Sequence, residues 1–124
     1  MKLRTLPDSY AVVRLQPGAD LPEWVDAGPF RSVTRTDHEV SIVCRDLDVP
    51  EGESVDRGWT VLETMGPLDF SLTGVISSLV EPLAQAEVPI FLISTFETDY
   101  VLVRSSDLAR AVDALEDAGH EFAA

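Results

Sequence analysis

The stretch Ser71-Leu-Thr-Gly-Val-Ile-Ser-Ser-Leu-Val-Glu-Pro-Leu83 decides the fold, because the hydrophobic period changes there. Leu72, Val75, Ile76, Leu79, Val80 and Leu83 recur at helical spacing and make one apolar stripe. Ser71 can cap this helix, and Pro82, inside the pattern, should bend it or end its regular part early. On either side the pattern is strand-like. Trp59-Thr-Val-Leu-Glu-Thr-Met65 leads in, with Gly66–Ser71 as a loop. Val88–Thr95 and Tyr100–Arg104 follow, joined by a turn at Glu97-Thr-Asp99. Ser105 or Ser106 then caps a last helix with Leu108, Ala111, Val112 and Leu115 on one face, and Gly119 stops it. Glu121-Phe122 adds a brief final strand. The order is βαββαβ, a split βαβ of ferredoxin-like type, with an antiparallel sheet and helices on one face.

The first half repeats the order in shortened form. Tyr10–Leu15 is a strand ended by Gln16-Pro-Gly18. Asp20-Leu-Pro-Glu-Trp24 reads as a helix start, capped by Asp20 with Pro22 in the first turn, and Gly28-Pro29 keeps that helix short. Phe30–Thr36 and Glu39–Leu47 form a hairpin about Asp37-His38. Val49–Gly58, with Pro50, Gly52 and Gly58, reads as a linker where a second helix would stand. The fold class is therefore α+β, with an abbreviated unit over 1–58 and a full unit over 59–124.

Composition narrows the function. With 22 acidic and 9 basic side chains the net charge is −13, which repels nucleic acid and anionic membranes. The chain has no run of about 18 apolar residues for a membrane span, and Met1-Lys-Leu-Arg4 is not followed by a signal-peptide core, so the expected compartment is the cytoplasm. The single cysteine, Cys44, excludes an intrachain disulfide and reads as a small hydrophobe in a strand. His38 and His120 lack zinc-site spacing and read as surface residues. Asp46 and Asp48 alternate on one strand face, where a solvated edge outweighs a loose cation site. Trp24 and Trp59 read as core or interface residues. No phosphate loop, nucleophile elbow or metalloprotease motif is present, so no enzyme, cofactor or metal is expected.

Two polar clusters remain. Asp69-Phe-Ser-Leu-Thr-Gly74 is a strand-to-helix entry whose free N–H groups can hold a carboxylate, with Gly74 allowing close approach. It reads equally as an ordinary capped helix start. Ser94-Thr-Phe-Glu-Thr-Asp-Tyr100 spans the second hairpin. Asp99 there can receive an ammonium beside Ser94 or Thr95, or can serve as turn chemistry.

These same residues carry a family resemblance. Gly66-Pro-Leu-Asp-Phe-Ser-Leu-Thr-Gly74 and Ser94–Tyr100 match marks of the ACT domain, in a subgroup of small tandem proteins, and Ala86-Glu-Val-Pro-Ile-Phe91 also fits. The pattern is similar to the ACT modules of eukaryotic arginine sensors. It is specific over Trp59–Val103, while over Tyr10–Leu47 only the element order agrees. The resemblance implies a non-catalytic sensor that binds a small ligand, an amino acid, through Asp69, Ser71, Thr73, Gly74, Val75, Ser94, Thr95, Phe96 and Asp99, in a homodimer. The alternative is a dimerisation or protein-interaction module without a ligand.

Overall fold

The computed structural model describes residues 1–65 and 74–123. In chain order the strands are β1 (Lys2–Thr5), β2 (Tyr10–Leu15), β3 (Ser32–Arg35), β4 (Val40–Arg45) and β5 (Ser54–Thr64), then β6 (Ile90–Ser94), β7 (Asp99–Arg104) and β8 (Glu121–Phe122). The helices are α1 (Val75–Gln85) and α2 (Leu108–Asp117), and 3₁₀ turns lie at Glu23–Asp26, Asp46–Asp48 and Ser105–Asp107. The chain divides into two compact units, Asp8–Trp59 and Met1–Pro7 with Thr60–Ala124.

In the unit Asp8–Trp59, β2 lies antiparallel to β4 from Tyr10↔Arg45 to Leu15↔Val40, and β3 makes a hairpin with β4. Alternation sends Ala11, Val13, Val40, Ile42 and Cys44 into one core, closed by Val25 and Val49. Trp24 packs partly buried against it. The expected helix over Asp20–Trp24 is only a 3₁₀ turn, with Pro22 rather than Asp20 at the capping position and no side-chain cap. Four residues before the Gly28-Pro29 stop cannot repay the cost of nucleating an α-helix.

The linker reading of Val49–Gly58 also fails over its second half. Ser54–Gly58 belong to β5 and pair with β2, with Val13 opposite Val55. Polar residues hold this connection. The Arg57 guanidinium donates to the Asp46 carbonyl at 2.8 Å and the Val49 carbonyl at 3.1 Å. Asp46 and Asp48 are not a solvated strand edge. They sit in the 3₁₀ turn, where Asp46 accepts from Ser9 Oγ at 2.5 Å and Asp48 pairs with Arg45 Nε at 2.9 Å.

In the other unit, the last part of β5 opens the βαββαβ order continued by α1, β6, β7, α2 and β8. This is the expected ferredoxin-like α+β arrangement. β7 pairs with β5 and β6. β1, which sequence reasoning did not foresee, is antiparallel to β5 (Leu3↔Thr64) and parallel to β8 (Leu3↔Phe122). Leu3, Leu62, Val101 and Val103 face Leu79 and Leu83 of α1 and Ala111 and Leu115 of α2. Each fully buried leucine there contributes about 1.5–3 kcal/mol.

Helix α1 runs from Val75 with Gly74 at φ +78° in the capping position, while Leu72 and the expected cap Ser71 lie outside the described residues. A left-handed residue there favours glycine. Ile76, counted in the apolar stripe, is exposed. Pro82 does not end the helix, which runs on to Gln85. Its missing N–H leaves the Ser78 carbonyl without the usual i+4 donor. His120 Nε2 fills that place at 2.8 Å. His120 is therefore not a surface residue; it is 7% exposed. A Schellman end of α2 puts it there. Gly119, at φ +98°, donates to Glu116, and the His120 N–H donates to Leu115 at 3.0 Å. At the start of α2 neither Ser105 nor Ser106 caps. Asp107 holds the capping position, and Ser105 Oγ is hydrogen-bonded to Thr60 Oγ1 at 2.8 Å. No described helix is long and apolar enough to cross a membrane.

Candidate functional site

The β6–β7 hairpin pairs Ser94 with Asp99, Leu92 with Val101 and Ile90 with Val103. Directly opposite residues share a face. Val101 and Val103 lie in the core under the helices, so Ser94 and Asp99 occupy the end of that same face. The turn between them is held by Thr95. Its N–H donates to the Thr98 carbonyl at 2.8 Å, and its hydroxyl also meets that carbonyl at 3.1 Å. The Asp99 carboxylate is thus not used to close the turn.

Asp99 is 9% exposed. Ser94 Oγ donates to its Oδ1 at 2.6 Å, and among the described residues Oδ2 takes no hydrogen bond. Its backbone is fixed from β5. The Asp99 N–H donates to Thr64 Oγ1 at 3.1 Å, and that hydroxyl donates back to the Asp99 carbonyl at 3.0 Å. Thr98 Oγ1 donates to the Thr64 carbonyl at 2.7 Å and lies against the Thr64 hydroxyl. Thr64 is fully buried, so this small polar cluster replaces water at the sheet end. The arrangement offers one oriented carboxylate oxygen to a donor.

The structure brings Ser94 and Asp99 into contact and places Thr95 in the adjoining turn. Phe96 stands at the tip, 82% exposed. Gly74 and Val75 open α1. Asp69, Ser71 and Thr73 lie outside the described residues. Sequence reasoning missed Thr64 and Thr98. The signal for Thr64 was its place two residues after Leu62 in an alternating strand.

On β7 the next residue, Tyr100, has its phenol pushed up by burial first and then by its hydrogen bond to Glu63. Elsewhere, burial raises the Cys44 thiol to about 11, ahead of the nearby Asp48 and Asp46 charges. At neutral pH Cys44 is a protonated thiol and a poor nucleophile. Among the described residues, no group of three or more His, Cys, Asp or Glu is placed to share a metal ion. A wider, open groove of about 760 Å³ runs beside α1 and the end of α2, past Pro82 and His120.

Comparison with known proteins adds the following. The family model for the ACT domain matches residues 54–117, and a second model, described as an N-terminal domain, matches residues 8–52. The human protein CASTOR3P is 30% identical over 92 residues, covering 64% of this chain and 56% of that protein. Subunit 1 of the cytosolic arginine sensor for mTORC1 from Bos taurus is 27% identical over 97 residues, covering 69% of this chain and 30% of the sensor. The chain thus spans about half the length, or less, of these relatives. Among solved structures, a protein of Agrobacterium tumefaciens is 43% identical with a TM-score of 0.93, covering 98% of this chain and 91% of that one. The ligand-free regulatory subunit of aspartate kinase from Thermus thermophilus shares the fold, with a TM-score of 0.67 at 11% identity over 94% of this chain and 97% of that one.

Proposed function

The chain belongs to the ACT domain family, and from that premise we propose that it is a non-catalytic regulatory protein that binds an amino acid at the end of the β6–β7 hairpin. The single observation that supports this most is the Asp99 carboxylate. It is nine-tenths buried, has one oxygen held by Ser94, and leaves the other without a partner among the described residues. A carboxylate held this way at the end of the sheet accepts a charge-assisted hydrogen bond well, and an ammonium group supplies one. The N–H groups at the start of α1, at Gly74 and Val75, suit the ligand's carboxylate. In this reading Asp69, Ser71 and Thr73 complete that end, Thr95 orders the turn, and Phe96 covers the ligand.

Arginine is the first candidate, since three of the relatives are named as arginine sensors. In this reading residues 1–58 and 59–124 act as two ACT-like units. The protein works in the cytoplasm as a homodimer whose self-affinity the ligand alters.

The test is thermal unfolding of the full chain with each common amino acid at millimolar concentration. A ligand at one hundred times its Kd stabilises the folded state by about 2.7 kcal/mol. One or a few amino acids, arginine first, are expected to raise the midpoint, and Asp99→Asn to abolish the shift. No shift across the whole set would overturn the reading.

A further inference from the structure

A hollow opens on the other face of the same sheet end. Leu3, Leu62 and Val101 point toward the helices, so alternation turns their neighbours Arg4, Glu63 and Tyr100 away from them. With Glu97 and Thr98 these residues line a cavity of about 260 Å³. Register explains the meeting, because Arg4 lies directly opposite Glu63 across β1 and β5. Arg4 Nη2 forms an ion pair with Glu63 Oε1 at 2.7 Å, and Tyr100 is hydrogen-bonded to the same carboxylate. Glu63 is thus gripped from two sides.

Among the described residues the guanidinium is not used up. It has five N–H donors in a planar fork, and among the described residues Glu63 is its partner. The remaining donors match a second carboxylate. Glu97 and Glu63 supply acceptors for a positive group. The lining carries one guanidinium against two carboxylates, so a simple anion is repelled and a simple cation meets Arg4. A molecule with both charges satisfies both. The cavity is smaller than the roughly 300–1,000 Å³ of sites for drug-sized ligands, which selects a compact one.

We propose that the Arg4–Glu63–Tyr100 hollow is a binding site for a small α-amino acid, with the ligand carboxylate on Arg4 and its ammonium between Glu63 and Glu97. This site is separate from the one at Asp99, whose carboxylate lies on the helix side of the sheet.

The test is amide NMR of the full chain titrated with L-alanine, L-serine and L-threonine, and with propionate and ethylamine as one-ended probes. At least one of the three amino acids is expected to move the signals of Arg4, Glu63 and Thr98 saturably. The one-ended probes should bind at least tenfold more weakly. Arg4→Gln should weaken binding at least tenfold while the rest of its spectrum superimposes on the parent. Arg4→Lys, which keeps the charge and loses the fork, should weaken it several-fold, and Asp99→Asn should leave it within twofold. Absence of saturable shifts with all three amino acids, or equal binding by Arg4→Gln, overturns the inference. Loss of binding in Asp99→Asn with none in Arg4→Gln overturns it too, and leaves the hairpin reading standing. The reverse pattern supports this site and counts against the hairpin as the place of binding.

Discussion

The two units follow one strand plan and cover their sheets differently. In the unit containing Thr60–Ala124, α1 and α2 bring four buried residues, Leu79, Leu83, Ala111 and Leu115, onto the strands. In Asp8–Trp59 the same two places hold 3₁₀ turns of four and three residues, and Val25 and Val49, with Trp24 partly buried beside them, close the core over Ala11, Val13, Ile42 and Cys44. A strand order of this type can therefore outlast the loss of its helices when small β-branched residues seal the face.

The largest expected effect comes from breaking that asymmetry. Leu83→Ala removes a fully buried side chain from α1 and should cost about 3–4 kcal/mol. Val25→Ala should cost only about 2 kcal/mol, since fewer methyl groups leave the core. Urea unfolding of both variants checks this. Equal losses would mean that the 3₁₀ turn seals its sheet as strongly as a helix does.

A somewhat smaller effect sharpens the comparison through pH. The only thiol lies in the core of Asp8–Trp59, and its folded pKa is raised from 9.0 to about 11. Between these values the unfolded chain releases the proton and the folded one keeps it, so stability is full below pH 9 and falls as pH rises toward 11. The loss reaches roughly 2–3 kcal/mol. Cys44→Ala should flatten this part of the pH profile, measured as the urea midpoint from pH 8 to 11. The phenol of Tyr10, also raised by burial, adds a loss of the same sign at higher pH.

The smallest effect concerns Pro82 and His120. His120→Ala leaves the Ser78 carbonyl without its donor and should cost about 1 kcal/mol. In a Pro82→Ala background the restored N–H serves that carbonyl, so the same substitution should cost less. The double-mutant cycle measures the coupling, and strict additivity would show that the contact carries no energy.

The βαββαβ order was legible because the period changes from strand to helix at α1 and back at β6. The pairing of Ser94 with Asp99 was nearly legible too, since the two residues flank a short turn. Three features were not. β1 has one core residue, Leu3, and its partners lie about 60 and 120 residues away, so nothing local announces it. Without β1 there was no route to Arg4 beside Glu63. Ser54–Gly58 looked like a linker because its strand is held by backbone pairing and by Arg57, not by apolar alternation. The helix caps were misplaced for a related reason. Ser105 had a better partner in Thr60, a residue distant in sequence, than in its own helix. At β1, Ser54–Gly58 and Ser105 the error came from a non-local contact taking over residues that were read locally, whereas the helix expected at Asp20–Trp24 failed for the local reason that it was too short.

The bond between His120 and Ser78 has a further consequence for how the molecule opens. The segment at Gly119–Phe122 cannot lift away without stripping the Ser78 carbonyl, and α1 cannot unwind at Pro82 without releasing His120. Fraying of the terminal strand and breathing of the middle of α1 are thereby joined into one cooperative fluctuation, although about 40 residues separate them in the chain.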